Sequence, residues 1–483
     1  MSSACLHAPA YSYQRHEPEQ DLLYRVLADH LETFLQRTRT TEHSLPSHVE
    51  GELRSYLECG ILAYGFLRLR CSECTTSRTV AFSCKGRGFC PSCMGRRMAD
   101  TARLSDEIVP AVAVRQWVIS LPIEIRYRLA YDGRLLSAFL AIFLRVVQAW
   151  YRQQARAQGY AEAHCGSVTF VQRFGSALNL NPHFHVLMPD GVYVIRAEGA
   201  APEFVPAPAL QDSDVQRIVE LAAHRLVRSL QQRIVLDSTE ADALAAESPL
   251  LSALSSASVQ GQLATGPRAG CRVRRLLSDP RAGQRSGRLC FSAWGFSLHA
   301  ATRLEAEDRL GLERLCRYLL RPPLAGGRLR FIDADHLRFR LKTPWSDGTT
   351  HLVLSPLERI EKLAALVTPP RLNLVRYHGV LAPNAGFRRL VVPSRSVLPD
   401  TSSAGVSTVS PSRRRLGWAA LLARVFAVDV MRRPSCGGRL GLVAVLSDAA
   451  SIGRYLSGVG LAAAPPAVAA ARPPPQRELD LVY

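Results

Sequence analysis

Residues 179–194 read NLNPHFHVLMPDGVYV, and the triplet His183-Phe184-His185 within them sets the expectation for the fold. In a β-strand residues i and i+2 leave the backbone on one face, so two imidazoles can reach one metal ion while Phe184 packs behind them. Pro182 can open such a strand, and Pro189-Asp190-Gly191 supplies a turn at its end. A His-x-His pair by itself is common by chance. Two histidines nevertheless leave coordination positions free for a divalent ion, Mg²⁺ or Mn²⁺, to polarise a phosphoryl oxygen. The third ligand is expected from Gln172, on the preceding strand-like run SVTFVQRF, or from a carboxylate.

Strand-like runs (RQWVISLPI from Arg115, SVTFVQRF, HFHVLMPDGVYVI) alternate with helical stretches at 135–157 and 213–235, which predicts a mixed core of sheet and helix over residues 106–395. The most apolar window, Leu135 to Trp150, is broken by Arg145 and Gln148 and has the period of a core helix rather than a membrane span. With no signal-like segment at the N-terminus, the chain reads as cytoplasmic. Residues 1–105 form a basic, Cys-rich leader that opens with a helix over Glu19 to Arg37. Residues 396–416 have the Ser/Thr/Pro composition of a linker. Beyond it, 417–483 is expected to be a small module with helices over WAALLARVFAVDV and SDAASIGRYLSGVGL, ending in a disordered Pro/Ala-rich tail.

The chain of 483 residues carries a formal charge of +19, nearly all of its basic residues being arginine; the lysines are Lys85, Lys342 and Lys362. A GC-rich genome would exchange Lys for Arg yet leave the total charge unexplained. A polyanionic partner, nucleic acid foremost, explains it through counterion release.

Six of the twelve cysteines lie between Cys59 and Cys93. Cys71 with Cys74 and Cys90 with Cys93 make two CxxC pairs, a spacing that can close a tetrahedral thiolate shell around structural Zn²⁺. Cys59 and Cys84 are left over, as alternative ligands, part of a second site, or core thiols. Arg87, Arg96 and Arg97 give the region a rim suited to phosphate.

In DRLGLERLCRYLLRPPLAGG, Leu312, Leu315 and Leu319 recur at helical spacing, and Pro322-Pro323 ends the pattern. Tyr318 stands beside that stripe with Arg314, Arg317 and Arg321 nearby. A phenol is a weak nucleophile at neutral pH, and guanidinium groups would favour its anion and hold a phosphate for attack. The plain alternative is a half-buried tyrosine on an amphipathic helix. Tyr377, in RLNLVRYHGVLAPN with Arg376 and His378 beside it, is a rival nucleophile. Arg338 and Arg340, with Phe331, Phe339 and Trp345, could thread and stack a single strand or simply form a packed hairpin.

Taken in order, CGILAYGFLRLRCSEC, SCKGRGFCPSCMGRRMADTA, RQWVISLP, the His-Phe-His strand, RYLLRPPLA and VRYHGVLAPN resemble the insertion-sequence 91 (IS-91) family of rolling-circle transposases, from about Cys59 to Leu461. The resemblance implies an α+β fold: an HUH nuclease-like antiparallel sheet with flanking helices, preceded by a small zinc-binding domain and followed by a small accessory module. It implies His183 and His185 as metal ligands, Tyr318 as the nucleophile in preference to Tyr377, and a nucleoid-associated bacterial enzyme acting on single-stranded transposon ends. Two departures stand out. Arg314 occupies the position of a second tyrosine found in two-tyrosine members, so a single nucleophile must be reused or strands passed between protomers of an oligomer. Relatives often carry CPxCGG near the C-terminus; here RPSCGG has Arg433 in place of the first cysteine, which leaves Cys436 alone and makes a second zinc site there unexpected.

No GxxxxGK[ST] loop is present, in keeping with chemistry that stores bond energy in a covalent link and needs no nucleotide. The same residues would also suit a replication initiator or relaxase, a nuclease using water, or a non-catalytic zinc-ribbon regulator.

Overall fold

The computed structural model describes residues 16–39, 44–197, 200–236, 245–277, 287–324, 327–345, 347–393, 431–433 and 436–473. The expected linker at 396–416 and the helix over 418–430 lie outside them. Among the described residues the fold is α+β with antiparallel sheets.

The leader contributes two helices, Leu22–Arg39 and Ser47–Glu58, the hairpin β1 (Phe66–Cys71) and β2 (Ser77–Ala81), and the helix Pro91–Glu107. Next come β3 (Val114–Ser120), helices Ile123–Tyr131 and Gly133–Ala157, β4 (Gly166–Phe174), β5 (Leu180–Pro189), and the small ribbon β6 (Gly191–Val194) and β7 (Glu203–Pro206). Helices Asp212–Leu236 and Pro249–Gln260 lead to β8 (Arg274–Leu277), β9 (Cys290–Ala293), β10 (Phe296–His299) and β11 (Arg303–Leu304). The tyrosine helix Arg309–Leu319 precedes β12 (Leu329–Phe331), β13 (Leu337–Arg340) and β14 (Thr349–Leu354); then follow the helix Pro356–Leu366, β15 (Val375–Gly379), a single turn at Arg388–Val391, β16 (Leu440–Leu446) and the helix Ala449–Gly458.

The central sheet runs β15-β4-β5-β3-β10-β9, with β11 also paired to β3. The histidine strand β5 thus lies between two long neighbours, and strand alternation gives the sheet two different faces. On one, Phe184, Val186 and Met188 join Trp117 and Ile119 beneath the helices Gly133–Ala157 and Asp212–Leu236. On the other, Val168, Phe170 and Leu187 meet Leu104 of the helix Pro91–Glu107 and Leu312, Cys316 and Leu319 of the tyrosine helix. Burying both faces is what makes β5 apolar from Val186 to Met188.

Helix Gly133–Ala157 is the one described helix long and apolar enough to cross a bilayer. It is a core helix: Asp132 caps it by accepting from the amides of Arg134 and Leu135, and Arg145 faces solvent while Phe143 and Val147 are fully buried. Asp190, at the turn after β5, is buried and accepts from Arg115 (2.8 and 2.9 Å), Arg303 (2.7 Å) and the Tyr151 hydroxyl (2.9 Å). A buried carboxylate satisfied on this scale fixes the end of the histidine strand, and removal of Asp190 would leave the buried Arg115 guanidinium uncompensated.

The leader packs directly on the core. Leu27, Leu31 and Leu53 of its first two helices share a hydrophobic cluster with Phe339, Leu352 and Leu363 of the second sheet (β12-β13-β14-β8) and the helix behind it. The C-terminal segment departs from expectation. Instead of a separate module, β16 pairs with β1 in a three-stranded sheet β16-β1-β2, with Cys71 opposite Leu440. Helix Ala449–Gly458 packs Ile452 and Leu456 against Leu62 and Phe66. The Pro/Ala-rich stretch runs back along the first helix, where Ala469 N–H donates to Ala28 O and Arg472 N–H to the Thr33 hydroxyl.

Candidate active site and metal centre

Antiparallel register places Gln172 of β4 and Ser120 of β3 directly opposite His183, and Phe170 and Val118 opposite His185, all on the face beneath the tyrosine helix. The imidazole centroids of His183 and His185 are 4.9 Å apart. His183 Nδ1 lies 2.8 Å from the Asn181 carbonyl, so Nδ1 carries the proton and the Nε2 lone pair is left for a metal. His185 Nδ1 accepts from the Gln116 side-chain Nε2 at 2.7 Å, which leaves the ring proton on its Nε2.

Burial is the main cause that brings His183 down to about 4, reinforced by the charges of Arg126 and Arg321 and opposed by the bond to Asn181. Burial, followed by His183, Arg321 and His299, holds His185 well below the ordinary imidazole value. Both rings are therefore neutral at physiological pH, the form that ligates. Among the described residues no carboxylate, cysteine or third histidine stands with this pair closely enough to complete a three-ligand group. Gln172 is the remaining protein donor: its amide nitrogen donates to the Leu319 carbonyl at 2.8 Å, which leaves its oxygen for a metal. Two neutral imidazoles and an amide oxygen suit a divalent ion that keeps open positions for phosphate and water.

That Gln172 bond also ties the histidine face to the end of the tyrosine helix. The helix starts at the cap Asp308, whose carboxylate accepts from Gly311 N–H, and buries Leu312, Cys316 and Leu319 at helical spacing. Tyr318, adjacent to this stripe, remains 37% exposed. Two cations stand over its ring, with Arg321 Cζ 4.2 Å and Lys342 Nζ 4.6 Å from the centroid. Arg321 thus stands against the phenol, and its charge also contributes to lowering both imidazoles. Arg317, expected to assist Tyr318, is instead ion-paired one turn back with Glu313. Lys342 supplies the second charge, and it was not singled out because it arrives from a loop after β13. Arg314 faces solvent one turn before Tyr318.

Tyr377 occupies β15 opposite Val168, on the histidine face but two strands from β5, and packs into the cluster that holds Leu312 and Leu319. Strand alternation turns Arg376 and His378 away from it; Arg376 donates to the Ser137 hydroxyl at 2.8 Å. The grouping of Tyr377 with those two side chains is therefore corrected. His299, on β10 opposite Val118, is an additional histidine on the face of the pair, about 10 Å across the sheet from His185.

The thiols assemble differently from the two-knuckle expectation. Cys59, Cys84, Cys90 and Cys93 form one cluster, with Sγ separations of 3.8 Å (59 to 93), 3.4 Å (84 to 93) and 3.6 Å (59 to 90). Four thiolates around Zn²⁺ lie about 3.8 Å apart, so the set fits structural zinc. Cys90 and Cys93 stand at the N-terminus of the helix Pro91–Glu107, where backbone N–H groups favour thiolate. Glu52 accepts from Arg87 N–H and Gly88 N–H and clamps the KGRG loop; a Cβ on Gly88 would fall 2.8 Å from that carboxylate and 3.1 Å from Val367 Cα. Cys71 and Cys74 belong elsewhere, with Cys436. The hairpin explains the split: Cys59 and Cys84 flank its base, where Gly60 N–H donates to Phe82 O, whereas Cys71 and Cys74 occupy its tip, some 17 Å along β1.

Among the arginines assigned to DNA, Arg87 is committed to the fold, donating to the carbonyls of Leu372 and Pro369 at 3.1 Å each. Arg96 is exposed and Arg97 half-buried. Arg338 and Arg340 are exposed on the outer face of β13, where Arg330 stands opposite Arg338. Phe339 is fully buried and Trp345 stacks on Arg275 at 4.6 Å, so neither is free to stack a base; Phe331 is exposed.

Residues 26–121 match the family model described as "Transposase zinc-binding domain", and residues 166–387 match the one described as "Putative transposase". No curated protein and no solved structure matches the chain. The two matches fall in the order of the zinc-binding and sheet regions described above, and the zinc-binding model is that of the IS-91 elements. The chain belongs to the IS-91 family of transposases.

Proposed function

We propose that this transposase nicks and rejoins single-stranded DNA at transposon ends by tyrosine transesterification, with the histidine face of the sheet acting as an HUH nuclease site. The observation that carries the reading is that Arg321 stands over the Tyr318 ring while Gln172, opposite His183 on the sheet, bonds to Leu319 at the end of the same helix, which brings the phenol and the histidine face toward one phosphate. A Mg²⁺ or Mn²⁺ ion held by His183, His185 and Gln172 would polarise the scissile phosphoryl group.

The chain's own groups do the rest. The Asn181 carbonyl holds the His183 imidazole in the ligating tautomer, and the Gln116 amide nitrogen fixes the orientation of the His185 ring. Arg321 and Lys342, both against the Tyr318 ring, offset charge on the phosphate that the phenol meets. The phenol proton leaves to solvent, to which the ring is open. Tyr318 Oη then bonds to phosphorus as the bond to the 3′ oxygen breaks, giving a 5′-phosphotyrosine and a free 3′-OH; the reverse step rejoins a strand without a nucleotide cofactor. Exposed Arg330, Arg338 and Arg340 offer a path for the backbone of the strand.

The test is labelled single-stranded DNA carrying a transposon end, incubated with Mn²⁺ and run on a denaturing gel. Wild type and Tyr377→Phe should give a protein-linked band that Tyr318→Phe and His183→Ala lack. Cleavage with no linked band would favour a nuclease using water, and a band lost only in Tyr377→Phe would move the nucleophile.

A further inference from the structure

The second thiol cluster lies outside the site just described. Cys436 Sγ is 3.5 Å from Cys71 Sγ and 3.4 Å from Cys74 Sγ, and the three sulfurs lie within 4.8 Å of one another. These separations are close to the ~3.8 Å expected of thiolates on one tetrahedral Zn²⁺. The cysteines come from places 362 to 365 residues apart, joined because β16 pairs with β1 and Ser72 N–H donates to Arg439 O at 2.9 Å.

The surrounding backbone is shaped to the sulfurs. Gly437 has φ +69°, and a Cβ on Gly438 would stand 2.5 Å from Cys71 Sγ, so the turn that delivers Cys436 tolerates glycine alone beside the thiols. Beside the three sulfurs, Arg433 Nη1 approaches Cys74 Sγ to 2.8 Å. A guanidinium against sulfur is favourable when the sulfur is thiolate. Three thiolates on a divalent ion carry one net negative charge, which a single arginine cancels.

We propose that Cys71, Cys74 and Cys436 form a second zinc site, a three-thiolate centre with an open fourth position, which clasps the C-terminal strand to the N-terminal zinc-binding domain. Arg433 is its charge-balancing neighbour rather than a ligand. The site is independent of the four-thiol cluster, and it makes the segment around β16 a component of that domain, fastened from the far end of the chain.

The test is zinc per chain in full-length protein purified under reducing conditions, measured by plasma mass spectrometry, with amide hydrogen exchange of residues 440–446 as a second readout. Wild type should carry two zinc ions. Cys436→Ser and Cys74→Ser should each carry one, with exchange in β16 faster by at least tenfold and exchange in β3 to β5 unchanged. Arg433→Cys should keep two ions and give up the second to a chelator more slowly than wild type. One zinc ion in wild type, two in Cys436→Ser, or a Cys71–Cys436 disulfide in the reduced preparation would each overturn the proposal.

Discussion

The histidine face and the thiol clusters are both assemblies of ligating side chains, yet they are built by opposite means. His183 and His185 share a face because they sit two residues apart on one strand, and their neighbours Gln172 and Ser120 follow from antiparallel register. The four-thiol cluster draws on the end of a helix, the base of a hairpin and the first turn of another helix, and the three-thiol cluster reaches across the length of the chain. Local geometry makes the first robust to its surroundings, whereas the thiol sites exist only when the tertiary path is complete.

This contrast predicts how each region fails. Cys90→Ser removes a buried thiol from the four-thiol shell and from the start of a helix that packs on the tyrosine helix, so the largest effect is expected there: loss of the bound zinc and of a cooperative unfolding transition by calorimetry, since structural zinc contributes on the order of 10 kcal/mol in small domains. A variant that keeps zinc and its transition would show that the shell lies elsewhere.

Tyr318→Phe should leave folding intact, because the ring edge is exposed, while lowering formation of the covalent DNA adduct by at least ~10³-fold. His183→Ala should act on chemistry as well, reducing Mn²⁺-dependent cleavage by about 10²-fold with the melting temperature little changed. Gln172→Ala is expected to be milder, about tenfold, measured as a raised Mn²⁺ requirement, since it removes one donor and loosens the tie to Leu319. An equal loss at saturating Mn²⁺ would assign Gln172 to holding the helix alone.

The smallest effect concerns pH. His183 titrates at about 4 in the folded chain against an ordinary value near 6.5 unfolded, so the unfolded state takes up a proton first as pH falls. Its contribution to stability is complete above 6.5 and is lost between 6.5 and 4. In the absence of divalent ions, the melting temperature of wild type should drop more steeply across that interval than that of His183→Gln; parallel curves would contradict the burial of this ring.

The same contrast sets how much was legible in the sequence. Period-two spacing exposed the histidine face, the strands Val114–Ser120, Gly166–Phe174 and Leu180–Pro189 emerged where alternation placed them, and the tyrosine helix ended before Pro322. The thiol sets were not legible: spacing paired Cys71 and Cys74 with Cys90 and Cys93, but a five-residue strand step separates the tip of a hairpin from its base. Helical neighbours misled in the same way. Arg317 is adjacent to Tyr318 in sequence yet points one turn back to Glu313, while Lys342 reaches the ring from a loop. The strand Leu440–Leu446 escaped notice because its partner, β1, lies hundreds of residues away.

The most direct measurement is peptide mapping by mass spectrometry of the DNA-linked protein after nuclease digestion. A nucleotide 5′-phosphate on Tyr318 is the predicted result, and it would place the phenol and the histidine-bound metal at one phosphodiester. The same mass found on Tyr377, or on no tyrosine while DNA is cut, would contradict the site built around Arg321.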